Sequence, residues 1–127
     1  MNEEIMQMLT NLNAQHEALQ EQSKLVDQQI IELRQFNEEL EVLEKQKNKE
    51  IIVSIGKSVF APVNFSGQGN FFVDVGAGYF VRKNFDETKN VVSGQLSRLS
   101  DLKVYLSSET NSLTNKLESV FKKIQNP

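Results

Sequence analysis

Ile5, Leu12, Leu19, Val26, Leu33 and Leu40 recur every seven residues, and beyond a short interruption the same step returns in Val92, Leu99, Leu106, Leu113 and Val120. A repeat of 3.5 residues puts the apolar side chains in one narrow seam along a helix, and such a seam is stable only against another helix. Two such stretches flank a nearly uncharged block, Ile51 to Arg82. The chain therefore folds back on itself, its seams meeting antiparallel and its ends finishing side by side, far from the middle.

Leu9, Ile30, Phe36 and Leu43 fill neighbouring places on the first arm, while Gln15, His16, Gln22, Ser23 and Gln29 stand where a tight zipper would carry Leu. That middle packs loosely or bends. Leu96, Leu102, Leu117, Phe121 and Ile124 support the second arm, and Lys103 and Thr110 interrupt it. Asn84 or Asp86 can cap its start, with Glu87 well placed after them. Gly94 is the only glycine in either arm, at a cost of roughly 1 kcal/mol of helix propensity. With helix one running from about Asn2 to Asn48 and helix two from about Asp86 to Asn126, each arm is ~60 to 70 Å long. Antiparallel pairing then sets Leu43 against Val92, Phe36 against Leu99, Leu19 near Leu117, and Leu12 near Phe121 and Lys123. Residues 1 to 7 are left as an overhang that, with Met8 at its border, holds all three methionines.

The block between the arms reads as two hairpins. Ile51 to Ile55 alternates and is β-branched, Gly56-Lys57-Ser58 turns, and Val59, Ala61, Val63 and Phe65 share one strand face. After Ser66-Gly67-Gln68-Gly69-Asn70, Phe71, Val73 and Val75 alternate with Phe72 and Asp74, Gly76-Ala77-Gly78 turns, and Tyr79 to Arg82 runs back. Only Lys57, Asp74 and Arg82 are charged among its thirty-two residues, and six of the eight Phe lie between Gly56 and Phe85. Two lone hairpins cannot bury such a surface. Open edges and apolar faces predict assembly with other chains through this block.

Net charge of −3 and no basic stripe exclude nucleic acid as a partner. The absence of cysteine removes disulfides and thiolate chemistry and fits a reducing, cytoplasmic setting. No apolar run approaches the ~18 residues of a membrane span. Gly76-Ala77-Gly78 lacks the third glycine and the following helix of a dinucleotide loop, so it is a tight turn. His16 has no second ligand at metal spacing. Glu3-Glu4 and Glu38-Glu39 point about 100° apart on a helix and cannot flank one bond. The serines of the second arm stand with no base and oxyanion donor in order. No enzyme, cofactor or metal is expected.

Ser58-Val59-Phe60-Ala61-Pro62 and Val73-Asp74-Val75-Gly76-Ala77-Gly78-Tyr79-Phe80-Val81, set in the order helix, two hairpins, helix, resemble the α-class subunits of prefoldin, a family shared by archaea and eukaryotes. The resemblance implies an α+β fold in which a single domain comprises a coiled-coil helix (1–49), two hairpins (50–83) and a second coiled-coil helix (84–127). It implies a jellyfish-shaped hexamer of two α-class and four β-class subunits, with the hairpins joined in intersubunit β-barrels. Members act without ATP, capturing unfolded polypeptides at the coiled-coil tips and passing them to a group II chaperonin. The β-class has one hairpin, so two hairpins indicate the α-class.

On that basis the client-contacting candidates are Ile5, Met6, Met8, Leu9, Leu12, Leu117, Val120, Phe121 and Ile124. Flexible thioethers suit a surface that accepts many partners, although the same residues also serve as the last heptads of the seam. The assembly candidates are Val59, Phe60, Ala61, Val63, Phe65, Phe71, Phe72, Val73, Val75, Tyr79, Phe80 and Val81. A rival reading is a structural scaffold whose β block oligomerises while its arms tether fixed partners.

Overall fold

The computed structural model describes residues 3–46, 49–65 and 70–125. The ends of the expected helices at Asn2, Asn48 and Asn126, and the connection Ser66 to Gly69, lie outside the described residues. Two long helices enclose four strands, in the order α1 (Glu3–Lys45), β1 (Lys49–Gly56), β2 (Val59–Phe65), β3 (Phe71–Gly76), β4 (Tyr79–Lys83) and α2 (Phe85–Gln125). The α+β reading and the two hairpins are met. Each hairpin is its own antiparallel two-stranded sheet, β1 with β2 and β3 with β4.

Both hairpins are built to one pattern, which repeats at a spacing of twenty residues. The loops are two residues long with positive φ at both, 51° and 62° at Lys57 and Ser58, 53° and 78° at Ala77 and Gly78. That turn has the right-handed twist of the strands it joins. Just before each turn the register slips by one residue, between Ser54 and Gly56 and between Asp74 and Gly76. Gly56 and Gly76 there have φ of 107° and 110°, which a Cβ would oppose. Their amides donate to Ser54 Oγ (3.4 Å) and Asp74 Oδ1 (2.9 Å).

α2 begins one residue earlier than expected because Asn84 caps it. Asn84 Oδ1 accepts from the Glu87 amide (2.9 Å) and Glu87 Oε1 accepts from the Asn84 amide (3.1 Å), a reciprocal box that satisfies two free donors. Phe85 is thereby delivered into the core.

Two compact units divide the chain, residues 33–96 and residues 1–32 with 97–127. In the first, Leu40, Phe85 and Val92 are buried, and Leu33, Leu43, Leu96, Phe65 and Phe71 pack on them. Phe65 and Phe71 stack with centroids 6.1 Å apart, and Phe85 meets both edge-on at 6.0 and 4.9 Å. The hairpin bases are thus pinned to the start of α2. In the second unit, Val26 and Ile30 of α1 and Leu106, Leu113 and Val120 of α2 are buried. Lys103 Nζ lies 2.7 Å from Asp27 Oδ1 there.

The seam differs from expectation on both helices. Phe36, Leu102 and Phe121 are exposed, at 44%, 42% and 51%, while Asn37 is half-buried. A strict 3.5-residue step selects positions alternately three and four apart, and an immediate neighbour is turned about 100° away. Asn37, not Phe36, follows Leu33 in that step, and Lys103, not Leu102, follows Leu99. His16 and Ser23 are half-buried, whereas Gln15, Gln22 and Gln29 are exposed.

Candidate functional site

Exposed apolar side chains occur along the helix flanks, at Leu25, Ile31, Val42, Leu102, Val104 and Tyr105, and in two groups that contain the sequence candidates. The first is the pair of hairpins. Strand pleating sends successive side chains to opposite faces; at the hairpin bases one face turns Phe65 and Phe71 to the aromatic cluster, while toward the turns both faces are open. Ile51, Val53, Ala61, Phe65, Phe71 and Val73 are accordingly half-buried. Ile52 (72%), Phe60 (62%), Phe72 (66%), Phe80 (63%) and Tyr79 (72%) stand in solvent, together with Val59, Val63, Val75 and Val81. The Arg82 guanidinium lies 5.3 Å from the Phe72 ring centroid on the facing strand.

The assembly candidates therefore divide. Phe65 and Phe71 serve an intrachain cluster, Ala61 and Val73 are half-covered, and the other eight are free for contact. Sequence reasoning omitted Ile52 and Ile55, both exposed. The signal was present in the run Ile51-Ile52-Val53, which is apolar on both faces and so cannot be served by one buried face. Phe36 was placed in the seam and instead stands beside β3, Val91 and Gln95 around a groove.

The second surface is formed by the helix ends in the unit of residues 1–32 and 97–127. Val120 is buried at 7%, and Ile5, Leu9, Leu12, Leu117 and Ile124 are half-buried at heptad positions. These six belong to the seam. Met6, Met8 and Phe121 point outward, each about half exposed at 51%, 50% and 51%.

Charge plays a small part. Lys89 Nζ lies 2.9 Å from Glu44 Oε2, and the hydrogen bond that the ammonium donates to Glu44 holds its pKa above the ordinary value of 10.5, with the charges of Glu44, Glu41 and Asp86 adding to it against partial desolvation. Among the described residues no three His, Cys, Asp or Glu side chains converge as a metal site, and no helix is long and apolar enough to cross a membrane.

The comparisons with known proteins agree with this architecture. The family described as "Prefoldin subunit" matches residues 12–127. A curated relative, prefoldin subunit alpha 2 of Thermococcus kodakarensis, is 29% identical over 82 residues, 65% of this chain and 58% of its own length. A cryo-EM structure of filamentous PFD from Methanocaldococcus jannaschii superposes with a TM-score of 0.81 over 91% of this chain and 97% of its own, at 20% identity. That likeness is one of fold.

Proposed function

The chain belongs to the prefoldin subunit family, a family of chaperones, and from that premise we propose that it is an α-class subunit of an ATP-independent holdase. In this reading it assembles through its hairpins with β-class subunits, two α with four β, works in the cytoplasm, holds unfolded polypeptides at the helix ends, and passes them to a group II chaperonin. The observation that carries the reading is the outward placement of Met6, Met8 and Phe121 beside a complete seam.

The driving force for capture is apolar area removed from water, at ~25 cal/mol per Å². Three side chains per tip give weak binding, and several tips acting together give avidity with ready release. No step calls for a nucleotide.

The test follows aggregation of a refolding protein by light scattering without ATP, in the presence of the assembled complex. Removing residues 1 to 8, or combining Met6→Ser, Met8→Ser and Phe121→Ser, is expected to abolish most of the protection while leaving the complex mass unchanged. Full protection by such a complex would refute the tip mechanism. A wild-type complex indifferent to denatured proteins would favour the scaffold reading.

A further inference from the structure

All the sulfur of this chain lies within its first eight residues, as Met1, Met6 and Met8, and cysteine is absent. Among the described residues, Met6 and Met8 are 51% and 50% exposed, in the first two turns of α1. Neither belongs to the seam. Ile5 and Leu9 hold the seam positions there and are half-buried; Met6 is turned about 100° from Ile5, and Met8 about 100° from Leu9 in the opposite sense, so one thioether lies on each flank. The seam at this end is built of aliphatic side chains, Ile5, Leu9, Leu12, Leu117, Val120 and Ile124, which carry no sulfur to oxidise. Chemistry at sulfur therefore alters the outward surface and spares the packing beneath it.

We propose that Met6 and Met8 form a reversible modification site, at which peroxide converts the thioethers to sulfoxides and so lowers the hold of this helix end on unfolded polypeptide. The inference rests on the reading that Met6, Met8 and Phe121 contact clients, and it adds a chemical control of that contact. In the step, the thioether sulfur attacks one oxygen of hydrogen peroxide, the S–O bond forms as the O–O bond breaks, and the proton on the transferred oxygen passes to the departing hydroxide, which leaves as water. Sulfur is oxidised and peroxide is reduced by the same two electrons. Methionine sulfoxide reductases, one for each sulfoxide epimer, reverse it: the oxygen leaves as water and a dithiol reductant is oxidised to a disulfide. The effect on holding follows from polarity. A thioether is apolar, polarizable and adaptable, whereas a sulfoxide is polar and takes hydrogen bonds from water that an apolar client segment does not replace. Phe121 has no sulfur and keeps its apolar ring, so holding is reduced and not abolished.

The test uses the assembled complex. Complexes that carry the wild-type chain, or Met6→Leu with Met8→Leu, and are otherwise identical are treated with hydrogen peroxide and then freed of it with catalase. Each is compared with its own untreated form for suppression of client aggregation without ATP, and peptide mass spectrometry reads the oxygen gained at each methionine. The expected result is sulfoxide at Met6 and Met8, with a rise of about fivefold in the concentration of wild-type complex needed for half protection, as when one apolar side chain loses its gain on burial. The change should be clearly smaller in the Leu complex, and helix content and complex mass should stay the same. Reductases of both epimer specificities with dithiothreitol should restore wild-type protection. Met6→Gln with Met8→Gln, which supplies polarity without oxidation, should lower protection in the absence of peroxide. Sulfoxides at both residues with protection undiminished, thioethers that stay unoxidised where free methionine is converted, or an equal loss in the wild-type and Leu complexes would each overturn the proposal and leave the chaperone reading standing. An untreated complex that gives no protection would instead overturn that reading, and this inference with it.

Discussion

At Ala77 the backbone sits at φ 53°, in the left-handed region, although the residue carries a Cβ. That conformation costs an ordinary L-residue about 1–2 kcal/mol. Ala77→Gly removes the clash and adds back some chain entropy, so a net stabilisation of about 1 kcal/mol is expected, read as a higher urea midpoint with unchanged slope; Ala77→Val should shift it the other way. Lys89 gives a prediction of sign. Its folded pKa is raised by Glu44, so the pair's contribution is complete below the ordinary lysine value and is lost as pH climbs through the raised one. Stability should therefore be insensitive to this pair from neutrality to about pH 10 and fall in strong alkali, and a melting-temperature profile of Lys89→Met should lack that part of the fall.

On α1 the seam holds a polar side chain where packing alone would place Leu. Asn37 is half-buried, and its Oδ1 is buried with no hydrogen-bond partner among the described residues. An orphaned buried acceptor costs about 1–3 kcal/mol, and a polar side chain at a seam position can fix register at that expense. Asn37→Leu is accordingly expected to raise the thermal midpoint, an effect of about 1–2 kcal/mol, while loosening the choice of helix register, visible as broadened amide resonances. The helices themselves were legible in the sequence, because the seven-residue recurrence needs no knowledge of the partner. Phe36 was misplaced because hydrophobicity pointed one way and spacing the other, and at Leu33-Asn37-Leu40 spacing governs. The cap was legible to within two residues, since Asn84 and Asp86 both carry the required oxygen and only the backbone selects between them.

The chain leaves large apolar side chains exposed on its hairpins, along its helix flanks and at its helix ends. Isolated, it should bind a hydrophobic fluorescent dye strongly, and Phe60→Ser with Phe80→Ser should reduce that signal and lower the mass of any assembly, whereas Met6→Ser with Met8→Ser should reduce the signal alone. Strong dye binding that both pairs leave unchanged would contradict the assignment of these surfaces. Two helices, two hairpins and the concentration of apolar residues in the block were determined by the sequence alone, because periodicity, turn chemistry and charge depletion are local properties of the chain. Which of those apolar residues remain free was decided by tertiary structure. Phe65, Phe71 and Phe72 are one residue type in one short stretch, and only their approach to Phe85 separates the two that close the core from the one left in solvent. Val120 and Phe121 part in the same way, because a difference of about 100° around a helix has meaning only once a second helix lies against it.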